Sequence, residues 1–154
     1  MWGGVRRETV ELAAADCVLV LSVAEIRRLE QRGLRNAVWV PPLIDRCETP
    51  GNADIGIVGS DSRVNRRGLW WLAGAVRREP IDVRVYGGLG RHACRAGFRD
   101  GGAYGDRYDP YRACGIVLMP TAEGLGVQVK GVEALACGRA IVPRLLTSWI
   151  CGLT

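Results

Sequence analysis

The sequence predicts an α/β fold built on a doubly wound parallel sheet. Short runs of Val, Ile and Leu alternate along the chain with helix-like segments of about 10 residues. Most of these runs lack polar alternation, which is typical of strands covered on both faces. Strands and helices that alternate in this way form right-handed crossovers in a parallel sheet. With 154 residues, 48% of them hydrophobic, the chain is long enough to bury a core.

Two helices and two strands are predicted before a polar linker. The run "DCVLVLS" is typical of a strand buried on both faces. Ser22 and Glu25 have the spacing of a capping box, which predicts a helix that begins there and ends before Gly33. The linker, 43–54, contains proline and glycine and has no periodicity. The four elements before it are helix 5–15, strand 16–22, helix 23–32 and strand 36–42.

Beyond the linker, strands and helices alternate up to residue 142. The predicted strands are short and end in glycine or proline, or are followed by one of them. We predict strands at 55–59, 82–87, 101–105, 115–120 and 140–142, and helices at 66–78, 91–96, 109–114 and after Gly126.

The charge and the cysteines restrict the class of protein. The net charge is +5, but the arginines occur in singles and pairs, which favours a solvated surface with an anion site over a nucleic-acid stripe. Six cysteines show no CxxC spacing, and most lie in apolar runs, which predicts buried thiols in a reducing compartment. No signal-peptide core and no apolar run of roughly 18 residues occurs. We therefore expect a cytoplasmic protein, and contact with a membrane surface stays open.

Two loops of the predicted sheet are suited to bind an anion, because ligands of open parallel sheets bind beyond the carboxyl ends of the strands. In the loop 59–68, Gly59 permits a tight exit from the strand, and Arg63, Arg66 and Arg67 supply cations. A polar surface loop without a ligand is the alternative for this segment.

The second loop, 120–126, leads into a helix with Lys130 and Glu133 one turn apart. Lys130 is the only lysine of the chain. A Gly-x-Gly turn before a helix lets an anion approach the backbone closely. A carboxylate at Glu133 can accept hydrogen bonds from the two hydroxyls of a vicinal diol, as acidic residues do from ribose in nucleotide sites. The alternative is an exposed i,i+3 pair between Lys130 and Glu133.

Several motifs of other enzyme classes are absent. No GxGxxG follows a strand, and neither a Walker A motif nor HExxH occurs. A dinucleotide oxidoreductase, a P-loop NTPase and a zinc peptidase therefore have little support. His92 is the only histidine, and we expect it on the surface rather than in a catalytic triad.

The segment "PTAEGLGVQVKGVEALACGRAIV" resembles the nucleotide-sugar signature of the GT-B glycosyltransferases of the group 1 or family 4 type. Segment 55–76 is similar to the first strand, loop and helix of their donor domain, 108–120 to a later strand preceded by a tyrosine, and 13–45 to the end of the acceptor domain. The resemblance covers nearly all of residues 8 to 143. The residues that match the signature are Gly124, Gly126, Lys130, Glu133, Ala134, Ala136 and Gly138.

The resemblance implies a truncated two-domain enzyme. Residues 1–46 would be a remnant of the N-terminal acceptor domain and hinge. Residues 47–154 would be the nucleotide-sugar-binding Rossmann-like domain, incomplete at its C-terminus. The catalytic groups would then lie on the missing domain, so the isolated fragment is expected to be inactive.

The resemblance also implies roles for several residues. Glu133 would bind the ribose, and Gly124 and Gly126 would admit the diphosphate and the sugar. Lys130 would reach a phosphate or support the turn. Arg67 occupies the place of a phosphate-binding lysine in many members of the family.

Two further site residues depart from the family pattern. Ser60 stands where the family usually has a cation directly after the strand glycine, so Arg63 is the candidate substitute. Nine residues separate Glu123 from Glu133 where many relatives have seven between two glutamates. Glu123 is therefore a sugar ligand only if this longer spacing is tolerated.

The resemblance implies a hexosyltransferase-like enzyme that transfers a sugar from a nucleotide-diphosphate sugar with retention. It requires no cofactor and no metal from the protein, and it implies no nucleic-acid partner. The acceptor, whether carbohydrate, lipid or another molecule, is open. The alternatives are a non-catalytic nucleotide-binding Rossmann module and a basic nucleic-acid-binding domain, the latter with strongly salt-dependent binding.

Overall fold

The computed structural model describes residues 3–47, 52–122 and 127–144. These residues divide into two compact units. The smaller unit contains residues 3–43. The larger unit contains residues 44–47, 52–122 and 128–144.

The smaller unit is a two-stranded parallel sheet with two helices. Ser22 caps the second helix, because its hydroxyl oxygen accepts a hydrogen bond from the Ala24 N–H at 3.2 Å. That helix is followed by Gly33 with a φ of 83°, a left-handed conformation that glycine adopts without strain. Val20, Leu29 and Leu34 form the core. The elements are α1 Gly3–Ala13, β1 Val18–Val20, α2 Val23–Gln31 and β2 Ala37–Trp39.

The prediction that β1 is buried on both faces was wrong. Val20 is buried against the helices, but Leu19, on the opposite face, is 69% exposed, and its partner Val38 on β2 is 49% exposed. An apolar run indicates that a strand has no polar side chains. It does not indicate whether a second layer of the protein covers the sheet.

The larger unit is a five-stranded parallel sheet flanked by helices, which confirms the predicted α/β class. The strand order is β5-β4-β3-β6-β7. The strands are β3 Ile55–Val58, β4 Val83–Tyr86, β5 Arg99–Gly102, β6 Ile116–Met119 and β7 Ala140–Pro143. The helices are α3 Arg63–Ala75, α4 Asp109–Ala113 and α5 Val129–Ala136, with two short 3₁₀ helices at Gly87–His92 and Cys94–Ala96.

The core of the larger unit lies around β3 and β4. Ile57, Val83 and Val85 are almost fully buried, and Leu69 packs on them from α3. Here the predicted strands do lie at the centre of a covered sheet, although Arg84 interrupts the apolar residues of β4. The central strands are parallel and end at the same edge of the sheet, where the candidate site lies.

Helix α3 begins three residues earlier than predicted. The Ser62 hydroxyl accepts a hydrogen bond from the Asn65 N–H at 3.2 Å and caps the helix. Arg63, Arg66 and Arg67 therefore lie in the first two turns of α3 rather than in a loop. A serine cap is a short-range signal, and the polar composition of this segment obscured it.

The prediction of buried thiols is confirmed for two of the cysteines. Cys114 and Cys137 are buried, and the Cys114 thiol donates to the Pro110 carbonyl at 2.9 Å. Cys17 and Cys94 are exposed, which corrects the expectation of buried thiols. Among the five cysteines that the structure describes, none takes part in a disulfide bond. Within the described ranges, no helix has the length and apolarity that a bilayer crossing requires.

Candidate functional site

The candidate site lies where the winding of the larger sheet reverses. The chain leaves β3 through α3 towards β4 on one side, and it leaves β6 through α5 towards β7 on the other. The carboxyl ends of the neighbouring strands β3 and β6 therefore face a crevice, the usual ligand site of this topology. A pocket is present there, and its polar lining residues are Asn65, Thr121, Gln128 and Lys130.

A close helix contact forms one wall of this pocket. A Cβ atom on Gly68 of α3 would lie 3.0 to 3.1 Å from backbone atoms of Pro120 and Thr121, at the exit of β6. Only a glycine lets α3 approach the strand end this closely. Side chains hold both loops: Asn65 donates to the Ser60 carbonyl at 2.9 Å, and the Gln128 amide donates to the Thr121 hydroxyl at 3.1 Å.

Lys130 lies in the first turn of α5 and lines the pocket. Its side chain is half-buried, and burial lowers the pKa of Lys130, while the negative charge of Glu133 acts in the opposite direction. A cation that is partly withdrawn from water gains more from an anionic ligand than an exposed one, because the local dielectric screening is weaker. Lys130 is therefore suited to bind a phosphate.

Glu133 is held by a tyrosine from another helix. The hydroxyl of Tyr111, on α4, donates a hydrogen bond to a carboxylate oxygen of Glu133 at 2.7 Å. Tyr111 is fully buried, and burial together with this bond raises its pKa well above the usual range. Within the described residues, this is the one hydrogen bond to the Glu133 carboxylate, so acceptor capacity remains for a ligand.

A second tyrosine stands near the same carboxylate. Burial and then the negative charge of Glu133 raise the pKa of Tyr104. The Tyr104 ring also lies over Gly87, where an added Cβ would be 3.2 Å from the ring and 2.8 Å from the Gly59 carbonyl oxygen. Tyr104 thus packs against the residue that follows β4 and lies within electrostatic reach of the Glu133 carboxylate.

The structure does not place Lys130 and Glu133 as an exposed ion pair. Both side chains are half-buried, and the Glu133 carboxylate bonds to Tyr111. Their charges do interact, as the opposing effect on the pKa of Lys130 indicates. The simple surface alternative for these two residues is therefore wrong.

The remaining predicted site residues fall into three groups. Gly59 is buried at the exit of β3, where an added Cβ would meet the Leu89 side chain at 3.0 Å. Arg63 and Arg67 are exposed on the first two turns of α3. Outside the described residues lie Glu123, Gly124 and Gly126.

A charged cluster at the same edge was missed by sequence reasoning. Asp61, after β3, accepts hydrogen bonds from Arg66 at 2.8 Å and pairs with Arg91 at 3.3 Å. His92 lies 3.0 Å from the same carboxylate and is partly buried. Burial acts to raise the pKa of Asp61, but the hydrogen bonds from Arg66 and His92, with the charges of Arg66 and Arg91, outweigh it and lower the pKa.

One signal in the sequence points to this cluster. Asp61 follows β3, and Arg91 and His92 lie in the 3₁₀ helix that follows β4. Because β3 and β4 are parallel neighbours, residues that follow both strands meet at one edge. In the described ranges, no group of three or more His, Cys, Asp and Glu side chains is placed to hold a metal ion.

The strand order and the crevice define a Rossmann-like α/β domain. Comparison with solved structures specifies the kind: the chain has the fold of the GT-B glycosyltransferases, as predicted. HepE of Anabaena, solved in complex with UDP and glucose, matches 90% of this chain with a TM-score of 0.70 and 18% identity. Sucrose-phosphate synthase from Thermosynechococcus elongatus matches 90% with a TM-score of 0.72 and 18% identity.

The match covers 47% of HepE and 43% of sucrose-phosphate synthase, so the chain spans less than half the length of either protein. No protein-family model and no curated protein matches the sequence. At this level of identity, the likeness concerns the fold.

Proposed function

We propose that this chain binds a nucleotide-diphosphate sugar at the crevice between β3 and β6 and serves in glycosyl transfer. The GT-B fold supports the class of reaction, and one of the matched structures, HepE, is a complex with UDP and glucose. The observation that carries the proposal is the half-buried Glu133 carboxylate, which accepts a hydrogen bond from Tyr111 and lies on α5 three residues after Lys130, a lining residue of the pocket.

The pentose is the part of the ligand that Glu133 would recognise. A carboxylate accepts hydrogen bonds from two adjacent hydroxyls, and charged acceptors form stronger bonds than neutral ones. The Tyr111 bond occupies part of one oxygen and leaves the rest of the carboxylate for these hydroxyls. The site would therefore favour ribonucleotides.

The diphosphate would lie towards the strand ends. Lys130 is the cation that lines the pocket, and we assign Arg67 and Arg63 as further cations for the diphosphate. The glycines would let the phosphates approach the backbone, and they are Gly59, Gly124 and Gly126. We assign Glu123 to the sugar. Glycosyl transfer with retention releases the nucleoside diphosphate, and cations aimed at the leaving group stabilise the charge that develops there. We propose that the acceptor site and the catalytic groups lie on polypeptide outside this chain. This chain alone would therefore bind the donor without catalysing transfer.

Calorimetry of the chain with UDP and with GDP tests the proposal. We expect Glu133→Ala to weaken binding by at least about tenfold, since a hydrogen bond to a charged group contributes roughly 1.5 to 3 kcal/mol. Glu79→Ala is the matched control, because Glu79 is an exposed glutamate of the same unit, and it should bind like the unmodified chain.

Three results would contradict the proposal. One is the absence of measurable binding of either diphosphate by the folded chain. Another is equal affinity of the chain and of Glu133→Ala. Steeply salt-dependent binding of single-stranded or duplex nucleic acid, unaffected by added UDP, would instead favour a nucleic-acid-binding domain.

A further inference from the structure

Two cysteines that are far apart in the sequence meet at the end of α5. Cys47 lies in the linker, and Cys137 directly follows the last residue of α5. The Cys47 N–H donates a hydrogen bond to the Ala136 carbonyl at 3.0 Å, which places Cys47 beside Cys137. The Cys47 side chain is close enough to Cys137 to affect its pKa. A backbone contact to the residue before Cys137 brings the two cysteines into the neighbourhood that a disulfide bond requires.

The two thiols differ in their access to solvent. Cys47 is half-buried, whereas Cys137 is 2% exposed. A reagent in solution therefore reaches Cys47 first. Cys137 then reacts only with a group that is already attached to Cys47. Burial, followed by the hydrogen bond with Cys47, raises the pKa of Cys137 to about 12. Its thiolate is accordingly scarce at neutral pH and becomes more abundant as the pH rises.

Positive charge surrounds the pair. The Arg112 guanidinium is close enough to Cys47 to interact with it electrostatically. Arg139 and Arg112 act in the same way on Cys137, each against the effect of burial. Cations next to a thiol favour the thiolate, the form that attacks disulfides.

We infer that Cys47 and Cys137 form an intramolecular disulfide bond when the chain meets a small-molecule disulfide such as oxidised glutathione. Cys47 loses its proton, and its thiolate attacks one sulfur of the reagent. The S–S bond of the reagent breaks, and one glutathione leaves as a thiolate that takes up a proton. Cys137 then loses its proton, attacks the Cys47 sulfur of the mixed disulfide and expels the second glutathione. The cysteines lose two protons and two electrons in all, and the reagent takes them up and is reduced to two thiols.

This bond links the linker to the helix that carries the candidate site. Lys130 and Glu133 lie on α5, and the disulfide would join the end of that helix to segment 44–47. The closed loop spans about 90 residues, so the bond restricts the unfolded chain strongly and stabilises the fold. The inference does not depend on nucleotide binding, because it uses only the two thiols and their neighbours.

The test uses the full chain with Cys17→Ser, Cys94→Ser and Cys151→Ser, which leaves Cys47, Cys114 and Cys137. The protein is incubated with oxidised glutathione at several pH values from 7 to 9 and analysed by intact mass and by peptide mapping without reductant. We expect the loss of two hydrogens, a peptide pair linked through Cys47 and Cys137, and a rate that rises with pH, because the thiolate is the attacking form. The thermal midpoint should rise by about 5 °C or more and return after reduction.

Two variants in the same background are the controls. Cys47→Ser should abolish the linked peptide pair, whereas Cys114→Ala should retain it, because the Cys114 thiol bonds to the Pro110 carbonyl elsewhere in the core. Circular dichroism of each variant verifies that it is folded. A folded protein in which Cys47 keeps one glutathione without losing it to Cys137 would overturn the inference. A folded protein in which Cys47 does not react would overturn it as well.

Discussion

At the residue scale, the chemistry of Glu133 depends on a side chain that the helix pattern around it does not indicate. Tyr111 is fully buried, and its hydroxyl reaches the carboxylate at 2.7 Å. A buried tyrosine hydroxyl needs an acceptor, and a half-buried carboxylate needs a donor, so each residue satisfies the other. Tyr111 is thus a positioning residue for the proposed ribose contact.

The proposed ribose contact implies that the chain binds UDP more tightly than 2′-deoxy-UDP, and we expect Tyr111→Phe to reduce this difference. Phenylalanine fills the same space, but the carboxylate loses the bond that orients it, so about 1 kcal/mol of stability and part of the ribose discrimination are lost. Calorimetry with both nucleotides measures the discrimination, and Tyr108→Phe is the control at a more exposed tyrosine of the neighbouring turn. If Tyr111→Phe lowers both affinities equally, its role is structural and not positional.

A second prediction at this scale concerns acid stability. The pKa of Asp61 is lowered in the folded state, so its contribution to stability is full above its unfolded value of about 3.9 and is lost as the pH falls through the folded value. Asp61→Asn should therefore unfold more easily near neutral pH and lose less stability between pH 4 and 2 than the unmodified chain. Denaturant titrations at fixed pH values measure this.

Asp82→Asn is the control for the acid prediction. Asp82 pairs with Arg99 at 3.0 Å, but both side chains are more than half exposed, and exposed pairs contribute little. An acid profile of Asp61→Asn that parallels the unmodified profile would show that the cluster does not couple folding to protonation of Asp61.

At the scale of elements, helix α3 sets the width of the crevice through one of its glycines. Gly68 faces the backbone of Pro120 and Thr121, whereas Gly74, in the same helix, has no atom within 4 Å of the position of an added Cβ. The two glycines share a helix and differ only in what they face. Helix propensity alone would treat them alike.

We expect Gly68→Ala to destabilise the chain by about 1 to 3 kcal/mol, because the new methyl group forces α3 away from the strand end. Gly74→Ala should stabilise it by roughly 0.5 to 1 kcal/mol through helix propensity. Urea unfolding of both variants measures the difference. Equal effects of the two substitutions would mean that the close approach of α3 to β6 is not maintained in solution.

At the scale of the whole molecule, the two units differ in how completely their sheets are covered. In the larger unit the central strands are buried, but β1 and β2 of the smaller unit expose one apolar face. Parallel sheets normally occur with both faces covered. The apolar face consists of Leu19, Leu21, Val38 and Val40, which are 69%, 40%, 49% and 36% exposed.

We expect this apolar face to make the chain associate with itself as its concentration rises. The double substitution Leu19→Thr and Val38→Thr should reduce association and dye binding to apolar surface, with a change in unfolding free energy of no more than about 0.5 kcal/mol. Light scattering coupled to gel filtration measures the association. Val10→Thr is the control, because Val10 is 70% exposed but lies on α1 away from the strands. Association that persists in the double variant would place its cause elsewhere.

Much of the fold was accessible from the sequence because central strands leave a local signature. The runs at β3 and β6 are apolar, the run at β4 is interrupted by Arg84, and all three end in glycine or proline and form parallel strands. The start of α3 was misplaced because a serine cap stood inside a polar segment. The burial of β1 was also predicted wrongly, because the burial of a strand depends on the layers that pack on it and not only on its own sequence.

Sequence alone determined the α/β class and the succession of strands and helices, because these depend on residue types at short spacing. The same kind of signal predicted a site at the helix with Lys130 and Glu133. Tertiary structure alone decided which side chains meet: Tyr111 at Glu133, His92 and Arg91 at Asp61, and Cys47 at Cys137. Each of these pairs is separated by 22 residues or more. Parallel strand order, which carries no local signature, is what brings such distant loops to a common edge.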